Sequence, residues 1–297
     1  MAHTSVLLQE ILTGLDIKSN DIFFDGTING GGHSFAVSEK LGAEGTIIGT
    51  DLDGNAIVKA GERLKGAKAK VILKQASFRT IDFVLAYASV PKVNKILLDL
   101  GLSSNQFDES GRGFSFQKDE PLLMTFNNKP GESDLTAEGI VNHWDEENIA
   151  QIIESYGEDR FAKKIAHAIV FARQRGEIKT TTELVEIIKS ALPGKELHKR
   201  LHPATKTFQA LRITVNDELG ALNEGLKKGF EHLTACGRMA VISFHSLEDR
   251  AVKNFFKQMA SEEKAVIITK RPLVATEQEI IENPRSRSAK LRIIEKK

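Results

Sequence analysis

The sequence predicts an α/β fold with a Rossmann-like, mostly parallel sheet and an inserted helical subdomain. Short apolar runs alternate with amphipathic stretches over the first hundred or so residues and again after about residue 205. This alternation is typical of parallel strands joined by right-handed helical crossovers. Between these regions the alternation gives way to mainly helical patterns, which predicts an insertion. The predicted strands are 22–24, 46–50, 71–73, 93–98, 238–244, 265–269 and 291–294.

We expect the chain to divide into three segments. Residues 1–104 form the first part of the core, 105–204 form the mainly helical, substrate-recognition subdomain, and 205–297 complete the core. A chain of 297 residues is long for a single domain, which suits a large domain carrying an insertion. The predicted helices include 6–15, 138–156, 160–175, 181–192 and 247–259, and the helix 181–192 has a predicted cap at Thr180 to Glu183. A single long apolar stripe at helical spacing runs from Lys206 to Leu233.

A glycine-rich loop, Asp25–His33, follows the first predicted strand and precedes a helix. Glycine has no Cβ, so the backbone there can turn sharply and approach a ligand closely. The second strand ends at Asp51, where an acid can accept hydrogen bonds from ribose hydroxyls. The glycine spacing differs from G-x-G-x-x-G, which cradles a pyrophosphate. The loop therefore favours a nucleoside cofactor without a diphosphate, such as S-adenosylmethionine, over a nicotinamide cofactor or a purely structural turn.

Composition narrows the class of protein. The single cysteine, Cys236, excludes a disulfide framework within one chain and suits a reducing compartment. No run of eighteen apolar residues is present, and the first residues lack the pattern of a signal peptide. We therefore expect a soluble, cytoplasmic protein.

The net charge of +1 conceals a strong segregation of charge. The segment Asp99–Asp159 has fourteen acidic and three basic residues, whereas Arg160–Arg212 has twelve basic and four acidic residues. Such a basic segment can form a positive face that binds nucleic acid, or it can form solvated helix faces with ion pairs. The sequence leaves both interpretations open.

Six motifs, in order and spread along nearly the whole chain, closely resemble those of the bacterial S-adenosylmethionine-dependent 16S ribosomal RNA cytosine-N4 methyltransferases. The six segments are Asp25–Ser34, Asp99–Ser104, Arg112–Phe116, Phe208–Leu219, Val241–Arg250 and Asn283–Arg292.

The resemblance implies a class I methyltransferase fold and a single cytidine substrate in the decoding region of the small ribosomal subunit. No metal ligands are expected from the resemblance, and whether the protein forms a homodimer is left open. By motif, the residues expected to contact S-adenosylmethionine are Gly31, Gly32, His33, Asp51, Phe78, Asp99 and Gln106.

Methylation of cytosine N4 needs an acceptor for the amino hydrogens, because the nitrogen lone pair is delocalised into the ring. Asp99, at the end of the fourth strand, is the candidate acceptor, and an alternative role is to cap the next turn. His245 follows the fifth strand and either acts on the target nucleotide or caps the following helix. Cys236 precedes that strand, so we expect an inert, packed thiol rather than a nucleophile for carbon-5 methylation.

A base that leaves its stack needs an aromatic pocket, for which Phe114, Phe116 and Trp144 are candidates, although Trp144 also suits the core. Basic residues can position RNA through its phosphates, or they can neutralise nearby acids. The candidate phosphate contacts are Lys195, Lys199, Arg200, Lys206, Arg212, Arg285, Arg287, Lys290 and Arg292.

The sequence departs from the family pattern in several places. Asn29 and Gly30 stand where relatives usually have Gly-Arg, and Asn105 replaces a usual proline. The segment Glu120–Asn127 lacks two acids and an arginine that relatives usually have. The altered segment Glu120–Asn127 keeps open a ribosome-binding factor with weakened catalysis. A glycine loop followed by an acid, as in Asp25–His33 and Asp51, also keeps open a NAD-dependent dehydrogenase.

Overall fold

The computed structural model describes residues 5–101, 110–131 and 134–297. It divides into two compact units, one made of residues 1–101 with 219–297 and the other of residues 102–218. We call them the sheet unit and the inserted unit. The predicted segment boundary at residue 205 differs from this division, because the helix Thr205–Asn216 belongs to the inserted unit.

Within the described residues, eight strands form the sheet of the sheet unit. Along the sheet the order is β3, β2, β1, β4, β5, β8, β6, with β7 also paired to β8. The first five of these are parallel, and β8 runs antiparallel to β5, β6 and β7. The strands are β1 (Ile22–Asp25), β2 (Thr46–Asp51), β3 (Lys70–Gln75), β4 (Val93–Asp99), β5 (Leu233–Ser243), β6 (Ala265–Ile267), β7 (Leu273–Val274) and β8 (Lys290–Lys296).

The two faces of the sheet carry separate hydrophobic cores, because successive strand residues point to opposite faces. Phe23 and Ile47 belong to one core, whereas their neighbours Phe24 and Ile48 belong to the other. The helices of the sheet unit are α1 (Leu8–Leu15), α2 (Gly32–Ser38), α3 (Gly54–Arg63), α4 (Ile81–Tyr87), α11 (Glu218–His232, of which Glu218 belongs to the inserted unit), α12 (Ser246–Ser261) and α13 (Glu277–Glu282).

The inserted unit is mainly helical and has its own hydrophobic core. The predicted helix 138–156 is two helices, which separate at Trp144. The predicted cap is confirmed: Thr180 and Glu183 form a capping box at the next helix. Its helices are α5 (Ala137–His143), α6 (Glu146–Gly157), α7 (Ala162–Arg173), α8 (Thr181–Ala191), α9 (Gly194–Leu197) and α10 (Thr205–Asn216).

Two further predictions were wrong in detail. The stripe from Lys206 to Leu233 is not one helix, because Asp217 adopts a left-handed backbone with φ of 45° and separates α10 from α11. Cys236 is exposed rather than packed. It has φ of 58° and lies where the β4–β5 register shifts, between the paired residues Leu233 and Arg238, so the irregular strand turns its side chain outward.

Among the described residues, no helix has the length and apolar character needed to span a bilayer.

Candidate active site

Three aspartates end three neighbouring parallel strands. Asp25 ends β1, Asp51 ends β2 and Asp99 ends β4. Strand β1 lies between β2 and β4, where the chain order of the sheet reverses. Ligands of open α/β sheets bind at the carboxyl ends of the strands at such a switch point. The fold therefore brings the predicted Asp51 and Asp99 to the edge where a ligand is expected.

The glycine loop packs too tightly for side chains at two positions. A Cβ on Gly26 would lie 2.5 Å from Leu98 Cδ2 and 2.8 Å from Phe78 Cβ. Gly31 has φ of 75°, and a Cβ there would lie 3.1 Å from Ala60 Cα in α3. These glycines allow the loop to follow the strand ends and α3 closely.

Gly32 approaches the segment before α1, because a Cβ on it would lie 2.2 Å from Ser5 Oγ. The N–H of the nearby Leu7 donates to Glu279 Oε1 at 2.8 Å. The first described residues therefore contact both the glycine loop and α13, an arrangement that the sequence did not predict.

The Asp51 carboxylate organises the loop between β1 and α2. Its Oδ2 accepts from the backbone N–H of Asn29 at 2.9 Å, and its Oδ1 accepts from that of Asp53 at 2.9 Å. Burial raises the pKa of Asp51 to about 6, although these hydrogen bonds act in the opposite direction. Each carboxylate oxygen has a second lone pair, which leaves capacity to accept from a ribose hydroxyl.

The Asp25 carboxyl is fully buried and is held by its own loop. Ser34 Oγ donates to its Oδ2 at 2.6 Å, and the N–H of Thr27 donates to its Oδ1 at 3.2 Å. Burial raises the pKa of Asp25 to about 6. The sequence reasoning missed this aspartate as a site residue, and the signal available was an acid at the end of an otherwise apolar strand.

His33 and Asp99 face each other. His33 Nδ1 lies 3.7 Å from Asp99 Oδ2, and both side chains are largely buried, at 8% and 14% exposure. The other oxygen, Asp99 Oδ1, is buried and has no hydrogen-bond partner in the described structure. Burial, opposed by a hydrogen bond from the Gly101 backbone and assisted by the nearby Glu248 carboxylate, raises the pKa of Asp99 to about 7.

Phe78 begins a short 3₁₀ turn, Phe78–Thr80, beyond the end of β3. A Cβ built on Gly225 of α11 would lie only 2.4 Å from its ring, so the ring packs against the bare backbone of α11. Phe78 is partly buried against the hydrophobic core. Phe78 therefore lies between two glycines, with its Cβ beside Gly26 and its ring against Gly225.

His245 is the N-cap of α12. Its side chain accepts from the N–H of Glu248, and the Glu248 carboxylate accepts from the backbone of Phe244 at 2.8 Å and of His245 at 3.3 Å. This reciprocal pattern is a capping box, and its signal in the sequence was the glutamate three residues after the histidine. The geometry favours the capping interpretation of the two that the sequence left open.

The remaining aromatic candidates are engaged in packing. Phe114 is buried in the core of the inserted unit, and Trp144 packs partly buried against it. Phe116 stacks on His202 with ring centroids 4.4 Å apart and meets Phe208 edge-on. These contacts give each ring a packing role within the inserted unit, and the aromatic pocket for a flipped base stays a prediction. Gln106, the remaining predicted cofactor contact, lies outside the described residues.

Several predicted phosphate contacts instead pair with protein groups. Arg292 forms a two-pronged ion pair with Asp249, which Lys290 also approaches at 3.5 Å. Arg212 pairs in the same way with Glu218. Lys199 pairs with Glu196, and Lys206 donates to the Glu158 carbonyl. Among the described residues, no hydrogen-bond or ion-pair partner is found for Lys195, Arg200 and Arg287.

The segment Glu120–Asn127, which departs from the family pattern, is firmly anchored. The Arg112 guanidinium donates to the carbonyls of Thr125 and Phe126 at 2.9 and 2.7 Å. Asn216 accepts from the N–H of Phe126 and donates to the Met124 carbonyl. Two of the recognised motifs, those containing Arg112 and Asn216, therefore serve to hold this segment in place.

The donor set at the strand ends fits S-adenosylmethionine. Asp51 has spare acceptor capacity for ribose hydroxyls, the loop is open at Gly30, where nothing lies within 4 Å of an added Cβ, and Asp99 presents an unpartnered buried oxygen. Residues that would hold the cofactor are Gly31, Gly32, Asp51 and Phe78, with Asp99 at the reacting end and His33 beside it. A pyrophosphate-binding glycine spacing is absent, as the sequence indicated.

Comparison with known proteins identifies the family of this chain. The model of the MraW methylase family matches residues 1–297. Relatives named ribosomal RNA small subunit methyltransferase H include one from Heliobacterium modesticaldum, 45% identical over 99% of this chain and 98% of the relative, and one from Clostridium botulinum, 43% identical over the same shares. Among solved structures, an rRNA methylase from Streptococcus thermophilus covers 98% of this chain and 92% of its own, with 10% identity and a TM-score of 0.43.

The sheet order and the site at its switch point define a class I methyltransferase fold. The chain belongs to the MraW methylase family. The predicted fold and family are thereby confirmed. The comparisons give no support to a nicotinamide-dependent dehydrogenase or to a ribosome-binding factor without turnover.

Proposed function

We propose that this chain transfers the methyl group of S-adenosylmethionine to the exocyclic N4 of a cytidine in 16S ribosomal RNA. Membership of a methylase family and the names of the relatives support methylation of ribosomal RNA. The choice of N4 rests on the resemblance of six motifs and on one observation in the site. That observation is the buried Asp99 Oδ1, which has no partner in the described structure.

Asp99 has the chemistry that an amino acceptor needs. When bound, the cofactor supplies an electrophilic methyl group at the edge of the sheet. Asp99 Oδ1 is placed to accept a hydrogen bond from an amino group, which localises the nitrogen lone pair and orients it for attack. The N–H of Asp99 donates to Thr27 Oγ1 at 2.6 Å, so the glycine loop holds the backbone of this residue.

The position of Cys236 argues against methylation at carbon 5 of the cytosine. Such a reaction needs a thiolate beside the base. Cys236 belongs to the irregular start of β5, whereas the carboxyl ends of the parallel strands form the candidate site. The methyl group is therefore assigned to the amino nitrogen. The proposed partner is the small ribosomal subunit in the cytoplasm.

Nucleoside analysis by mass spectrometry tests the proposal. Small subunits from cells that lack the activity are incubated with the protein and S-adenosylmethionine, and their 16S RNA is digested. We expect N4-methylcytidine, and at least a hundredfold less from Asp99→Ala, on the scale of positioned catalytic groups. The appearance of 5-methylcytidine instead, or cofactor binding without transfer to competent subunits, would overturn it.

A further inference from the structure

The hydrogen bond between His33 and Val6 determines where the imidazole carries its proton. His33 Nε2 lies 2.9 Å from the Val6 carbonyl oxygen, and the His33 side chain is buried. A carbonyl only accepts hydrogen bonds, so Nε2 must carry the hydrogen. In the neutral imidazole, Nδ1 is then an acceptor, and it is this nitrogen that faces Asp99.

The contact with Asp99 needs one additional proton. Neutral Nδ1 and an ionised carboxylate are both acceptors, so they cannot hydrogen-bond unless one proton lies between them. The 3.7 Å separation of Nδ1 and Oδ2 exceeds hydrogen-bond length, so sharing a proton brings the two groups closer together. Burial raises the pKa of Asp99 and lowers that of His33, so both groups favour their neutral forms and the proton resides on Asp99.

Other charged groups surround the pair. Asp25 and Glu279 both raise the pKa of His33, and Glu248 raises that of Asp99. Asp25 already accepts from Ser34 and Thr27, and Glu279 accepts from the N–H of Leu7. Glu248 is occupied by the capping box of α12. These acids therefore influence the pair through their charge, whereas Asp99 is the acid that faces Nδ1.

We propose that His33 is a positioning residue for Asp99: its imidazole, with the tautomer set by Val6, shares one proton with Asp99 Oδ2 and leaves Oδ1 to accept from the substrate amino group. This inference deepens the proposed function and rests on it for the role of Oδ1. The shared proton between His33 and Asp99 is a property of the free protein. It can therefore be tested without RNA or cofactor.

The test is nitrogen-15 NMR of the histidine rings in the free protein between pH 5 and 9. His33→Gln assigns the His33 signals by their loss. His167, which is exposed and pairs with Glu146 at 3.2 Å in the inserted unit, serves as an internal control. Asp99→Ala removes the partner of Nδ1, and Asp99→Asn replaces it with an amide that donates but does not titrate.

We expect His33 to carry its hydrogen on Nε2, and below about pH 7, where Asp99 holds its proton, to show an Nδ1 shift typical of a hydrogen-bonded nitrogen. In Asp99→Ala the Nδ1 signal should move to that of an unpartnered nitrogen, and Asp99→Asn should restore it, with His167 unchanged in both. A hydrogen on Nδ1 in the wild-type protein would overturn the inference even if the variants fail to fold. Identical Nδ1 shifts in wild type and a folded Asp99→Ala would also overturn it.

A second readout separates positioning from cofactor binding. His33→Gln keeps a donor for the Val6 carbonyl but has no group in the place of Nδ1. We expect kcat to fall at least about tenfold while the dissociation constant of S-adenosylhomocysteine, measured by calorimetry, changes less than about threefold. A large loss of affinity with unchanged kcat would assign His33 to cofactor binding alone. If wild type transfers no methyl group, the proposed function fails, and the NMR result still stands by itself.

Discussion

Asn29 and Asp51 are joined across the candidate site, because the backbone N–H of Asn29 donates to Asp51 Oδ2 at 2.9 Å. Asn29 achieves this with φ of 50°, in the left-handed region. Relatives usually have glycine at this position, and asparagine is one of the few other residues that adopt this backbone readily. The departure from the family pattern is therefore compatible with an intact loop.

The stability of Asn29 variants should depend on how readily the new residue adopts the left-handed backbone. We expect Asn29→Gly to change the free energy of unfolding by less than about 0.5 kcal/mol, whereas Asn29→Val should lower it by about 1–2 kcal/mol. Urea unfolding measures both. A valine variant as stable as wild type would show that the left-handed backbone is not needed for this contact.

The stability of the protein should depend on pH through Asp99. Its folded-state pKa of about 7 lies above the ordinary value, so the unfolded chain releases the proton first as pH rises. This carboxyl therefore destabilises the fold progressively between about pH 4 and 7. We expect Asp99→Asn to be more stable than wild type at pH 8, by on the order of 4 kcal/mol, and the difference to vanish near pH 4.

Thermal unfolding across this pH range measures the effect. The exposed Glu44 provides a control, because Glu44→Gln should give no gain that grows with pH. A constant difference between Asp99→Asn and wild type from pH 4 to 8 would contradict the raised pKa.

Local pattern was sufficient for the sheet but not for its irregularities. Apolar runs such as Ile22–Phe24 predicted the strands because buried parallel strands need continuous apolar residues. The break at Asp217 interrupts no apolar periodicity, so the stripe predicted one helix where the structure has two. The outward turn of Cys236 depends on the pairing of β5 with β4, which no local pattern encodes.

The site residues could be predicted where a family motif or the end of a predicted strand identified them. Asp51 and Asp99 both end strands, and the sheet brings them to one edge. The pairing of Arg292 with Asp249 was not predictable in particular, because it joins β8 to α12 through the tertiary fold. For the same reason the contact between Val6 and His33 could not be inferred from a sequence alone.

Substitutions of Arg287 and Arg292, five residues apart, should affect different properties: RNA binding for Arg287 and stability for Arg292. Arg287 is exposed and no ion-pair partner of it is found in the described structure, whereas Arg292 is buried against Asp249. Arg287→Ala should weaken RNA binding several-fold and reduce the salt dependence of log K by about one. Arg292→Ala should instead cost on the order of 3 kcal/mol of stability, because Asp249 loses its main partner.

Filter binding at several salt concentrations and urea unfolding separate the two effects. If Arg287→Ala binds RNA as wild type does, this residue is not a phosphate contact. If a stable Arg292→Ala loses RNA affinity, the ion pair with Asp249 is not its principal role.

The capping role of His245 predicts a simple hierarchy of stabilities. His245→Ala removes the side-chain acceptor for the Glu248 N–H and should cost about 1 kcal/mol, whereas His245→Asn supplies a favoured capping group and should recover most of it. Chemical denaturation measures both. Equal losses in the two variants would contradict the capping role, and methyl transfer by the folded Asn variant then shows whether the imidazole has a separate part in the reaction.

If the proposed function holds, the methyl donor binds across the carboxyl ends of β1, β2 and β4 with its reacting end at Asp99. A crystal structure of the protein with S-adenosylhomocysteine tests it most directly. We expect the ribose at Asp51 and the sulfur on the side of the loop where Asp99 and His33 meet. A ligand bound elsewhere, or an Asp99 carboxyl that points away from the sulfur, would contradict the account.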